Sequence, residues 1–117
     1  MRQRSSSLNS GRKASLYGRR CPVARTLSIV GERWTILILR DLLRDGPRKF
    51  QDFEKSLVGI SPNTLSDRLK TLEESGVIAQ RFYEEHPPRA EYVLTEKGRE
   101  LRPVIREMKD WGEKHTS

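Results

Sequence analysis

Between Ser61 and Lys70 the chain sets out side chains that hydrogen-bond well: Ser61, Asn63, Thr64, Ser66, Arg68 and Lys70, with Asp67 as the only acid. Leu65, Leu69 and Leu72 recur at intervals of four and three, so on a helix they form one narrow apolar stripe. That stripe turns Asn63, Asp67 and Lys70 to the far side, with Thr64, Ser66, Arg68 and Thr71 flanking them. Amide, hydroxyl and guanidinium groups on one helix face pair with base edges in a DNA major groove and with phosphate oxygens. Ser61 caps this helix and Pro62 suits its first position. The amides of that first turn favour an anion. An ordinary solvated helix face uses the same residue types. The absence of Glu from Ser61 to Lys70 favours the nucleic-acid reading, whereas Asp67 departs from it, since an acid facing DNA repels phosphate unless it accepts from a cytosine or orients Arg68.

Other cations extend the pattern. Arg48 and Lys49 open a short amphipathic segment and read either as phosphate clamps or as solubilising charges. Arg81 and Arg89 flank a loop containing His86, and a basic residue at such a hairpin tip enters the minor groove. Glu84 and Glu85 oppose this electrostatically, so Arg89 carries more of the expectation than His86. Little else in the chain suggests chemistry. His86 and His115 stand in no metal or triad spacing, no phosphate-binding glycine loop occurs, and Asp41 and Asp45 read as solvated charges. No enzyme activity, metal or cofactor is expected. Cys21 is the only cysteine, which excludes an internal disulfide and a thiolate metal site. It leaves an inert thiol, a reactive one or a bridge between two chains.

The elements that must position these groups follow from periodicity and punctuation. Residues 1–20 are rich in Ser, Arg, Asn and Gly and predict a flexible arm. The ordered body, residues 21–117, opens with a helix from Cys21 to Val30. Arg33 to Arg44 is apolar on nearly every side and predicts a central helix ended by Gly46-Pro47. Lys49 to Leu57 predicts a short helix burying Phe50, Phe53 and Leu57. Val58-Gly59-Ile60 is a tight turn before the Ser61 helix, which closes at Gly76. Val77–Tyr83 and Ala90–Leu94 predict two strands around a loop, residues 84–89, that Pro87 and Pro88 keep extended. Thr95 to Gly112 predicts one long helix, bent at Pro103. The fold class is mainly α with a small β-hairpin, in the order of a winged helix-turn-helix.

Charge needs the same attention to place. The 117 residues carry a net +7, but six of those charges lie in residues 1–20, so the body is nearly neutral. Such a body also fits a winged-helix module that binds protein and not DNA. No run approaches the roughly 18 apolar residues of a membrane span. The basic start is followed by no apolar signal segment, so a cytoplasmic protein is expected.

The run Cys21-Pro22-Val23, Thr26-Leu27, Gly31 and Arg33 to Arg40 resembles the opening of HxlR-type regulators, relatives of the MarR superfamily. So does Gly46-Pro47 with Lys49-Phe50. Gly59-Ile60-Ser61, Leu65, Arg68-Leu69 and Leu72-Glu73 resemble their recognition helix. Pro87-Pro88-Arg89, Glu91-Tyr92, Leu94-Thr95, Gly98, Leu101, Pro103-Val104 and Trp111-Gly112 resemble their wing and last helix. The resemblance spans about Cys21 to Gly112. It implies a DNA-binding transcriptional regulator, acting as a repressor on an inverted-repeat operator. It also implies a homodimer built from the first and last helices, with Leu101, Val104, Ile105, Met108 and Trp111 at the interface. Trp111 agrees, since it would otherwise be exposed, although the same stripe also suits covering the protomer's own core. Some members use a cysteine at the place of Cys21 to sense electrophiles or disulfide stress. Arg19, Arg20 and Arg25 lie near it, the surroundings in which thiols become nucleophilic. A purely packing role stays open.

Overall fold

The computed structural model describes residues 20–117. All but the last residue of the expected basic arm therefore lies outside the described residues. The chain forms two compact units, the first ending at Arg33 and the second running Trp34–Ser117. The unit boundary thus falls within the stretch read as one domain from sequence. In the first unit, α1 (Pro22–Val30) begins with Cys21 as an extended cap, whose carbonyl accepts from Arg25 N at 2.9 Å. Val23 and Leu27 are exposed on it.

The second unit holds the remaining elements: α2 (Arg33–Asp45), which starts at the boundary, α3 (Phe50–Ser56), α4 (Pro62–Glu74), β1 (Ile78–Glu85), β2 (Pro88–Leu94), α5 (Glu96–Arg99) and α6 (Arg102–His115). Gly46 ends α2 with φ +81 and Gly59 turns between α3 and α4 with φ +96, conformations that a side chain would strain. Ile38, Leu39 and Leu42 of α2, Phe53 and Leu57 around α3, and Leu65, Leu69 and Leu72 of α4 form the core, joined by Val77 and Ile78. None is more than 3% exposed. The helical spacing of these residues is the cause of their common burial, worth about 1.5–3 kcal/mol for each large side chain.

Asp41 departs from the expectation of a solvated charge, being fully buried. Its Oδ2 accepts from Ser56 Oγ at 2.5 Å, which ties α2 to the end of α3. Its Oδ1 accepts from Arg40 at 2.8 Å and from Arg44 at 3.2 Å. Sequence spacing shows none of this, because Ser56 lies fifteen positions away.

The hairpin is longer and its turn tighter than expected. The ladder continues through Glu84–Arg89 and Glu85–Pro88, so only His86-Pro87 joins the strands. A bulge at Tyr83 lets the pairing resume where turn residues were expected. Arg48 adds a one-residue third strand: Arg48 N donates to Tyr92 O at 3.0 Å and Tyr92 N to Arg48 O at 2.6 Å.

The final helix is two helices. It breaks at Glu100-Leu101, and Pro103 sits in the first turn of α6, where its missing N–H leaves no bond unmade. Thr95 Oγ1 caps α5 by accepting from Gly98 N at 3.1 Å. Gly98 itself packs against β1's entry, since a Cβ there would lie 2.2 Å from Val77 O. Among the described residues, no helix is long and apolar enough to cross a membrane.

The Asp41–Ser56 bond predicts a measurable loss on truncation. Asp41→Ala leaves the part-buried Ser56 hydroxyl and Arg40 without their acceptor, while Arg44 keeps Asp45, and should cost about 2 kcal/mol, read from urea unfolding midpoints. Ser56→Ala should cost about half as much. A loss below ~0.5 kcal/mol for Asp41→Ala would show that the bond adds nothing to stability.

Candidate nucleic-acid interface

The α4 helix starts as its residues dictate. Ser61 Oγ accepts from Thr64 N at 3.1 Å and donates to Thr64 Oγ1 at 2.9 Å, locking the first turn. Leu65, Leu69 and Leu72 seal the inner side. Asn63, Ser66, Asp67, Lys70 and Thr71 are exposed on the other, while Thr64 and Arg68 are half-buried at its edges. The side chains of Asn63, Ser66 and Lys70 have no hydrogen-bond or ion-pair partner among the described residues, so their donors are available. Arg68 NH1 meets Asp67 Oδ2 at 2.6 Å. This is the orienting contact anticipated as one role for the acid.

The flanking cations separate into different situations. Arg48 is mostly covered: it contacts Asp45 Oδ2 at 2.5 Å, donates to Asp52 O at 3.0 Å and lies 6.0 Å over the Phe53 ring. These contacts occupy it in joining α2 to α3. Arg44 is bound to Asp45 as well, and its hydrogen bond holds the Asp45 carboxyl below the ordinary carboxylate range. Lys49 is exposed, with its ammonium 5.0 Å from the centre of the Tyr83 ring. The bulge that aims Tyr83 therefore brings the start of α3 and the wing together, at about 0.5–1 kcal/mol for an exposed cation–π contact. Tyr83 carried no signal in the sequence, because a bulge depends on strand register.

On the wing, Arg89 is exposed and meets Glu84 Oε1 at 3.3 Å. Arg81 is not brought to it. It is held by Glu91 Oε2 at 2.5 Å and lines a hollow with Leu42, Pro47 and Arg102. Gln80 Nε2 donates to Glu73 Oε1 at 3.2 Å, fixing the base of the wing to the last turn of α4. Tyr92 packs its ring 6.2 Å from Phe53, and burial raises its hydroxyl pKa.

Two further expected sites lie elsewhere in the chain. Cys21 is exposed at the cap of α1. On α6, Val104, Met108 and Trp111 are exposed along one side, whereas Leu101 and Ile105 are half-buried. Trp111 lies against His115, with ring centres 4.8 Å apart and planes tilted by 41°.

Three packed helices, the last presenting unpaired donors, followed by a hairpin pinned to that helix, make a winged helix-turn-helix DNA-binding fold. Known proteins agree. The HxlR-like helix-turn-helix model matches residues 29–117, and the chain belongs to that family of DNA-binding transcriptional regulators, which are not enzymes. YdeP of Bacillus subtilis, an HTH-type transcriptional regulator, is 46% identical over 95 residues, covering 81% of this chain and 73% of that one. The structure of the redox regulator HypR in its oxidised form superposes with a TM-score of 0.76 at 35% identity, covering 83% of this chain and 99% of HypR. The reduced form of the transcriptional regulator YodB from B. subtilis gives a TM-score of 0.68 at 35% identity, covering 81% and 93%.

The Ser61–Thr64 lock predicts that Ser61→Ala destabilises the domain by about 1 kcal/mol, while Ser61→Asp restores stability. Chemical denaturation of the three proteins checks it, and equal midpoints would remove the cap from the account.

Proposed function

We propose that this regulator binds an inverted-repeat operator as a homodimer and represses transcription from it in the cytoplasm. The observation that carries this reading is the α4 face, where Asn63, Ser66 and Lys70 stand unpaired beside Ser61, Thr64 and the Asp67-held Arg68. Asn63 and Arg68 read base edges, and Ser61, Thr64, Ser66 and Lys70 hold phosphates. Lys49 and Arg89 add backbone contacts from the short helix and the wing. Arg48 acts through position, as a clamp beneath Lys49, and Arg81 through its grip on Glu91. The paired cations leave modest free charge, so specificity comes from shape and hydrogen bonding more than from electrostatics.

Dimerisation is supported by apolar side chains that stand exposed among the described residues. Trp111 is 63% exposed and Met108 53%, in line with Val104 along α6. Val23 and Leu27 of α1 are exposed too. Leu101 and Ile105 take the inner side of the interface helix. Two-fold symmetry sets the two α4 helices about 34 Å apart, one turn of DNA. The exposed Cys21 and the likeness to HypR, a redox regulator, support a thiol response in which Cys21 is alkylated by an electrophile or joined to another thiol.

Duplex binding across a salt series is the central test. Affinity for an operator should fall linearly on a log–log plot, and Arg89→Ala should lower that slope by about one. A weak affinity flat with salt would sink the DNA reading in favour of a protein-binding module. For the dimer, Trp111→Glu should shift sedimentation to the monomer and weaken operator binding by at least about tenfold. An unchanged sedimentation coefficient would place the interface elsewhere. Wild type and Cys21→Ser should differ in operator release after diamide, and identical responses would leave Cys21 without a sensing role.

A further inference from the structure

Several cations of the second unit are held by carboxylates. Arg48 meets Asp45, Arg68 meets Asp67, Arg81 meets Glu91 and Arg89 meets Glu84. Each pair fixes a guanidinium but cancels part of its attraction for a third group. Lys49 is held differently. Its ammonium stands 5.0 Å from the centre of the Tyr83 ring and has no ion-pair partner among the described residues. The backbone beneath it is fixed as well. Lys49 N donates to Asp52 Oδ2 at 2.9 Å, and the neighbouring Arg48 pairs with Tyr92 of β2.

Tyr83 owes its place to an irregularity in the strand. Phe82 pairs with Ala90 and Glu84 with Arg89, so Tyr83 is the extra residue of the bulge and has no partner on β2. Its side chain is exposed, and its hydroxyl has no hydrogen-bond partner among the described residues. An aromatic face attracts an ammonium through its quadrupole, without a formal negative charge. The ammonium therefore keeps its whole charge and its donors for an anion. Meanwhile its four-carbon stem gives up part of the rotamer freedom that anion binding would otherwise remove. A carboxylate in place of the ring would fix the lysine equally and neutralise it.

We propose that Tyr83 is a positioning residue for DNA: its ring presets the Lys49 ammonium, between the start of α3 and the wing, for one backbone phosphate. A phosphate contact carries no sequence information, so the effect is on affinity for every duplex and not on base choice. The proposal rests on the regulator reading above, although the contact of ring and ammonium belongs to the free protein.

Duplex binding by the whole protein across a salt series tests it, with Lys49→Gln, Tyr83→Leu, Tyr83→Phe and the Lys49→Gln/Tyr83→Leu double variant. Lys49→Gln should lower the salt slope by about one. Tyr83→Leu leaves the lysine charged, so the slope should stay while binding weakens about three- to fivefold, on operator and random duplex alike. Tyr83→Phe keeps the ring and should recover most of that loss. In the Lys49→Gln background, Tyr83→Leu should cost almost nothing more, because the two act through one contact. An equal loss in both backgrounds would give Tyr83 a role of its own, and a Phe variant as weak as Leu would make the hydroxyl the active group. Either overturns the proposal, as does an unchanged affinity for Tyr83→Leu or an unchanged slope for Lys49→Gln. Proton NMR of the free protein reads the contact directly. The ε-methylene signals of Lys49 should lie upfield in wild type and Tyr83→Phe and return to ordinary lysine positions in Tyr83→Leu. Equal positions in all three overturn the proposal. Wild-type binding flat with salt would remove the regulator reading and this proposal together, whereas a salt-dependent wild type with an unchanged Lys49→Gln slope removes this proposal alone.

Discussion

Taking a carboxylate out of water costs several kcal/mol unless hydrogen bonds replace its hydration. Asp41 meets that condition through Ser56 on one oxygen and two arginines on the other. Both arginines keep part of their surface in solvent, so their share of the stabilisation is screened. The Ser56 bond is the directional part. It fixes the end of α3 against α2, and the turn at Gly59 then launches α4 from that end. The angle at which α4 presents its outer face therefore rests on this polar contact together with the core packing of Leu65, Leu69 and Leu72.

The wing is set by a second chain of contacts. Arg48 pairs its backbone with Tyr92 while its side chain holds Asp45 and the carbonyl of Asp52. One residue thus carries the end of α2, the start of α3 and the strand β2. Gln80 on Glu73 and Tyr83 under Lys49 complete the attachment from the other strand. These side-chain and backbone bonds around an apolar centre tie both strands of the wing to the helices.

Charge plays a smaller part than composition suggests. Several cations of the second unit sit beside an acid: Arg68 with Asp67, Arg89 with Glu84, Arg48 with Asp45. Such pairs position a guanidinium and reduce its pull on distant phosphate, which favours register over raw affinity. Among the described residues of the second unit, Arg102 and Arg106 of α6 have no such partner, and they line a hollow with Leu43 and Ile105 while Val104, Met108 and Trp111 are exposed.

Much of the fold and the α4 face was legible in the residues themselves. Helical spacing of Leu65, Leu69 and Leu72, the Ser61-Pro62 start and the Gly46 and Gly76 stops are local signals, and local energetics obeys them. What the local signals misjudged depended on partners far along the chain. The strands outran their expected ends because a bulge at Tyr83 restored pairing, and the last helix broke at Leu101, which puts Pro103 in a first turn where its missing N–H leaves no bond unmade. Asp41 reads as a surface charge until Ser56 is placed on it, and Arg81 reads as a wing-tip cation until Glu91 captures it. The sequence by itself determined which faces are apolar and where helices begin, because those follow from spacing within one element. Only the tertiary structure decided which charges are spent and which remain free, because pairing is a matter of proximity between elements.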